Sequence, residues 1–238
     1  KSGSAYIDNA SVTTETLPVP KYFRTNMDDD NVEFLDKGIW SIIDVDNNKV
    51  LAAPMGNGLS NVNFKNKYKD FDFITNICIR SSTATIDGNI GFLVRYIDDN
   101  NFYFLEYNNV ENFLRVRKFA NGAPTLIKII HNYALNMNEW YTMGVRTNGR
   151  TFEWYINKEL VLSFTDNDSN YIQEGEFRVN AYNVSAMIDD VEIAEVNTID
   201  FSKDNPPIPK TGDTQSLLHL LTVLLLTGTL IPKKRRNK

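Results

Sequence analysis

Residues 140–164, WYTMGVRTNGRTFEWYINKELVLSF, decide the fold class. The stretch reads as three antiparallel strands. Asn148-Gly149 is a strong hairpin signal, because both residue types tolerate the positive φ of a tight turn. Pairing about that turn sets Tyr141 opposite Ile156, Met143 opposite Trp154 and Val145 opposite Phe152, all on one face by period-two alternation. A three-residue turn from Asn157 to Glu159 puts Leu160, Leu162 and Phe164 on the same face, since a slip of one residue turns every side chain over. Thr142, Arg146, Glu153, Tyr155 and Ser163 fall on the other face. One dry side and one wet side is the pattern of a sheet in a sandwich.

The rest of the chain extends this pattern. At 238 residues and 42% hydrophobic content, it is long enough for one domain with a substantial core. The net charge of −5 excludes the overall basic character that a nucleic-acid partner requires. The charge is uneven: the last 27 residues carry one Asp and five Lys or Arg, so the 211 before them carry −9. A single cysteine, Cys78, rules out an intrachain disulfide, and its place in FITNICIR reads as a small buried hydrophobe. The chain starts KSGSAY, without an initiator Met or signal peptide, so an export signal is expected upstream and the sequence reads as the C-terminal part of a longer protein.

Residues 1–19 are polar and aperiodic, a linker or loose first segment. From 20 to 197 come about a dozen short strands with turn signals between them and no amphipathic helix. A meander runs IGFLVRYI (90–97), NFYFLEY (101–107), ENFLRVRKF (111–119) and PTLIKII (124–130), and the domain closes with GEFRVNAYN and SAMIDDVEIAEV. This spacing predicts an all-β antiparallel sandwich of two sheets. A polar linker, 198–207, ends in Pro206-Pro207.

GIW (38–40), GFLVRYIDDNNFYFLEY (91–107), LRVRKFANG (114–122), EWYTMGVRTNGRTFEWYINKELV (139–161) and AMIDDVEI (186–193) together resemble the concanavalin A-like, or laminin-G-like, jelly-roll family. They are similar to its bacterial carbohydrate-binding branch, which includes modules attached to levanases and other glycosidases. The resemblance implies a jelly roll and a glycan ligand.

The tail has three parts: IPKTG (208–212), LLHLLTVLLLTGTLI (217–231) and KKRRNK (233–238). In this order they resemble the LPXTG-type Gram-positive cell-wall sorting signal, with Ile208 in place of Leu and with Pro209, Lys210, Thr211 and Gly212 following it. The resemblance implies cleavage by sortase after Thr211, amide linkage of Thr211 to peptidoglycan or a pilin subunit, and a cell-wall location. Fifteen apolar residues as a helical tail span about 22 Å, short of the ~30 Å hydrocarbon core. Such a segment suits transient membrane contact of a precursor, with the basic end on the cytoplasmic side.

For chemistry, the closing strand offers D-x-E-x-x-E from Asp190, but Glu195 points away from Asp190 and Glu192 unless a bulge intervenes, so no acid pair for a glycosidase is expected. DNDSNYIQEGE (166–176) starts like a calcium loop with Asp166, Asp168 and Asn170, but has Tyr171 where an EF-hand needs Gly and Phe177 where it needs Glu. Asp28, in MDDDN, is a second candidate, since related jelly rolls often hold a structural calcium near their termini. Pairing the meander puts an outward row of Arg95, Phe104, Arg115 and Lys128 beside Glu106, Phe113 and Arg117. Rings flanked by charged forks suit a sugar. The expectation is a non-catalytic carbohydrate-binding module on a sortase-anchored surface protein. A spacer or interaction domain and a glycan hydrolase are the rivals.

Overall fold

A computed structural model describes residues 21–29, 32–33, 35–54, 58–82 and 88–203. The expected N-terminal segment and the tail with Ile208, Pro209, Lys210, Thr211 and Gly212 lie outside these residues. Among the described residues there are fifteen strands and no α-helix. In chain order they are β1 (Phe23–Thr25), β2 (Leu35–Asp36), β3 (Ser41–Val45), β4 (Asn48–Ala53), β5 (Leu59–Tyr68), β6 (Phe71–Ser82), β7 (Asn89–Asp98) and β8 (Asn101–Asn108). There follow β9 (Phe113–Ala120), β10 (Ala123–His131), β11 (Trp140–Asn148), β12 (Thr151–Ile156), β13 (Glu159–Thr165), β14 (Gly175–Tyr182) and β15 (Val184–Glu195).

They form a two-sheet antiparallel jelly-roll sandwich. The first sheet runs β13-β12-β11-β6-β15-β4-β3 with β1 beside β15, and the second runs β10-β9-β8-β7-β14-β5-β2. The last two strands do not add to an edge. β14 enters between β7 and β5, and β15 between β6 and β4. Phe177 of β14 therefore sits mid-core, with ring centroids 4.4 Å from Phe73, 5.2 Å from Phe71 and 5.3 Å from Phe64. Trp154, fully buried, meets Phe92 edge-on from the opposite sheet.

The opening stretch forms the expected hairpins with two changes of register. Val145 faces Trp154 and Thr147 faces Phe152, because the turn is centred on Gly149-Arg150. Gly149 takes φ +56 at the first central position, where a II′ turn places glycine, and its N–H donates to Asp70 Oδ1 at 2.8 Å. Moving the turn by one residue shifts the pairing by two, so the same side chains still face the core. The second turn has two residues, not three: Asn157 and Lys158 both take positive φ, and Ile156 pairs Glu159. A bulge opposite Trp154 and Tyr155 restores the face for Leu162 and Phe164, and Leu160 is left 50% exposed.

The segment from 198, read as linker, packs onto the first sheet as far as Phe201. Ile199 N–H donates to Asp72 Oδ2 at 2.9 Å, and the Phe201 ring stacks 4.3 Å from Tyr155. Gly144 makes room for it, since a Cβ there would come within 2.4 Å of that ring.

Candidate functional site

The outer face of the second sheet gathers most of the residues expected to bind a ligand. On β8, Tyr103, Leu105 and Tyr107 point into the core, so Phe104 and Glu106 point out. On β9, Leu114 and Val116 point in, so Phe113, Arg115 and Arg117 point out. The register then draws two rows across the sheet. One runs Arg115–Glu106–Gly91–Asn180–Asn61, the other Arg117–Phe104–Leu93–Arg178–Asn63.

Glu106 is fully buried, and burying a lone carboxylate is costly. Two guanidinium groups offset that cost: Arg115 Nε lies 2.6 Å from Glu106 Oε1, and Arg117 lies 2.8 Å from the same oxygen and donates Nη2 to Oε2 at 3.1 Å. Both guanidinium groups keep further N–H groups for a ligand. Arg115 also lies over the Phe113 ring at 4.7 Å, and Arg117 over Phe104 at 5.6 Å and Phe119 at 5.2 Å. Beyond Glu106, Gly91 admits no side chain, because a Cβ would fall 2.0 Å from Leu105 O. No side chain therefore stands between Glu106 and Asn180 in this row, and both are fully buried. Asn180 Nδ2 donates to Asn61 Oδ1 at 2.8 Å, and its own buried Oδ1 has no partner.

The expected row is corrected at both ends. Arg95 is not on this face: it takes φ +52 in a bulge of β7 between Val94 and Asp98, which turns its side chain inward and leaves it fully buried. It donates to Lys69 O, Ile172 O and Gly149 O at 2.7–3.0 Å, so it is a strut between loops. The same bulge turns Tyr96 toward Arg178. Lys128 is exposed but lies at the edge. A bulge between Leu126 and Lys128 pairs it with Val116, and its Nζ donates to Ser163 O at 3.0 Å on the other sheet. Within the row, Phe104 faces Arg117 rather than Arg115, and Glu106 faces Arg115 rather than Phe113. Phe104 and Phe113 are 7% and 4% exposed, so the guanidinium planes above them, not the rings, form the surface. Sequence reasoning missed Asn61, Asn63, Arg178 and Asn180. Their alternation in LSNVNF and GEFRVNAY was visible, but their place beside β7 depends on β14 entering the sheet's middle.

Asp166, Asp168 and Asn170 do converge, on a cation the chain itself supplies. Lys118 Nζ lies 2.8 Å from Asp166, 3.3 Å from Asp168 and 3.0 Å from Asn170 Oδ1. Lys118 is 3% exposed and Asp166 6%, and the Tyr103 hydroxyl also donates to Asp166. Burial alone would raise the Asp166 carboxyl, but the bonds from Lys118 and Tyr103 more than reverse it and hold its pKa below the ordinary value. The loop does not fit calcium, because an ammonium already occupies the point of convergence.

The acids of the closing strand have structural partners. Asp190 takes φ +48 in a bulge and accepts from Asn76 Nδ2 at 2.9 Å, while Glu192 lies 3.7 Å from Arg24. Asp189, 8% exposed, lines a pocket of about 330 Å³ with Asp46, Asn48, Asn76 and Trp140. Burial, then the charges of Asp190 and Asp28, push its carboxyl up to about 6 against the bond from Asn48. This places Asp28 near the closing strand. Among the described residues, no three His, Cys, Asp or Glu side chains form a metal-ligand group.

No protein-family model and no curated protein matches this sequence. Solved structures do share its fold. The carbohydrate-binding module CBM66 from Bacillus subtilis is 20% identical, with a TM-score of 0.54 over 75% of this chain and 98% of that one. A protein of unknown function with a galectin-like fold, also from Bacillus subtilis, is 13% identical with a TM-score of 0.56 over 73% and 94%. Bacillus licheniformis β-glucanase is 12% identical with a TM-score of 0.52 over 74% and 99%. The shared architecture spans nearly the whole of these chains, which include a carbohydrate-binding module and a glucanase.

Proposed function

We propose that this protein is a non-catalytic carbohydrate-binding module whose glycan surface is the outer face of the second sheet. The observation that carries the reading is Glu106, buried between Arg115 and Arg117 on a face that continues into Asn180 and Asn61. The forks are pre-set, so little side-chain entropy is lost when a ligand meets them. Their remaining N–H groups are donors, which suit the oxygen atoms of sugar hydroxyl groups. The sugar-binding neighbour of the same fold supports the reading.

The test is a broad glycan array with the intact protein, followed by Arg115→Ala and Arg117→Ala. Each variant is expected to weaken binding about tenfold, the effect of losing one charge-assisted hydrogen bond. A blank array with folded wild-type protein would favour the spacer reading. Turnover of a glycan, lost in Asp190→Asn and Glu192→Gln, would favour the hydrolase.

The tail places this module on the cell wall in our reading. Sortase would join Thr211 to peptidoglycan or a pilin subunit, and many displayed copies would supply avidity to a weak site. Replacing Thr211 and Gly212 is expected to release the protein to the medium or leave it in the membrane fraction. Unchanged wall attachment would refute the signal.

Calcium, if it binds, belongs beside Asp189 rather than in the 166–170 loop. Burial and then the neighbouring acids disfavour the ionised Asp189 carboxyl, and a cation in the pocket it shares with Asp46 and Asn48 would offset both. Without a cation, Asp189 lowers stability as pH rises from its unfolded value of 3.8 through about 6, because the folded state holds its proton longer. Asp189→Asn is expected to flatten that pH dependence and to abolish any rise in Tm on adding calcium. A calcium response that survives Asp189→Asn would place the ion elsewhere.

A further inference from the structure

A second pocket, of about 440 Å³, is lined by Arg146, Asn148, Thr151, Glu153 and Asn197. Val145, Phe152 and Trp154 point into the core, so Arg146, Thr151 and Glu153 point outward from the first sheet. The pocket is therefore on the side of the sandwich opposite Glu106. The register sets Arg146 beside Glu153 and Asn148 beside Thr151.

These groups are held in place from behind. Arg146 donates Nε and Nη2 to the buried Asp72 at 2.7 and 2.9 Å, and Nη2 also to Ile199 O at 2.8 Å. Its guanidinium lies over Phe201 at 5.0 Å. Nη1 makes none of these bonds. Glu153 accepts the Tyr155 hydroxyl on Oε2 at 2.7 Å, which leaves Oε1 for a ligand. Two amides and a hydroxyl complete the lining, so donors and acceptors are interleaved. Asp72 already neutralises Arg146, so Glu153 leaves the pocket with one net negative charge, which disfavours an anionic ligand.

We propose that this pocket is a second saccharide site, taking one neutral sugar residue of a glycan. Its volume lies in the range of roughly 300–1,000 Å³ typical of ligand sites. A lining of mixed donors and acceptors fits a ligand whose hydroxyls each donate and accept. The ligand class rests on the glycan reading above, while the residues are independent of it. Two sites facing opposite ways let one molecule bridge two glycan chains.

The test is two-dimensional amide NMR on the intact protein, titrated separately with glucose, galactose, fructose and N-acetylglucosamine. At least one sugar is expected to shift the signals of Arg146, Thr151 and Glu153 saturably. Glu153→Gln keeps an acceptor for Tyr155 and so preserves the fold. It and Thr151→Ala are each expected to weaken that binding about tenfold, whereas Arg117→Ala leaves it unchanged. Shifts confined to the Arg115 and Arg117 face would overturn this site alone. Shifts on neither face would overturn this site, while the glycan reading stands or falls on the array.

Discussion

Arg95→Met is expected to cost about 3–5 kcal/mol of folding stability, the range for breaking a buried charged network. The guanidinium is fully buried, and its donors close three carbonyls on separate segments: Lys69 in the β5–β6 turn, Gly149 in the β11–β12 turn and Ile172 after β13. Methionine fills part of the volume but leaves those carbonyls without donors. It also leaves Asp70 without its cation at 3.4 Å. Arg115→Met is the control, since its side chain is partly exposed and Glu106 keeps Arg117. It is expected to cost about 1 kcal/mol or less. Chemical denaturation of both variants checks the contrast. Equal losses would refute the assignment of Arg95 as an internal strut.

Lys118→Met has the second large effect, again about 3–5 kcal/mol at neutral pH. It leaves Asp166 buried without its ammonium partner, and Asp168 and Asn170 without the atom that organises their loop. The sign of the pH dependence follows from Asp166. In the wild type its pKa is depressed, so its contribution is present above the unfolded value and lost as pH falls through the folded one. In the variant burial, which raises the pKa, is opposed only by the bonds from Tyr103 and the Asp168 N–H. The gap between variant and wild type should therefore narrow toward about pH 4, where the variant's Asp166 is protonated. Unfolding curves at neutral and acid pH measure this. A gap that stays constant would show that the loss is one of packing rather than charge.

Both residues show where pattern reading stops. Arg95 follows a clean alternation in GFLVRY that points it outward, and nothing local marks the bulge. The bulge exists because the chain approaches closely there: a Cβ on Gly175 of β14 would lie 2.4 Å from the Arg95 backbone. Lys118 stands at an inward position of β9, opposite Tyr103. A lysine at such a position signals a buried partner, but the partner comes from a loop about fifty residues away. The spacing of Asp166, Asp168 and Asn170 begins like a calcium loop, whereas in the fold the three surround Lys118, which no local pattern marks.

The proposed binding face divides in the same way. Phe104, Glu106, Phe113 and Arg115 were legible because β8 and β9 are joined by a short turn, and alternation carries a face across a hairpin. The pairing was off by two residues, which changed partners without changing faces. Asn180 and Asn61 were not legible, since their strands lie far from β8 in sequence.

The sequence alone determined the sandwich, its inward aromatics and the hairpins, because period-two burial and turn chemistry act over a few residues. Tertiary structure decided which strands fill the middle of each sheet, where the bulges fall and which charges are buried. Those outcomes depend on contacts between segments distant in the chain, where one bulged residue or one close backbone approach moves a side chain from solvent into the core.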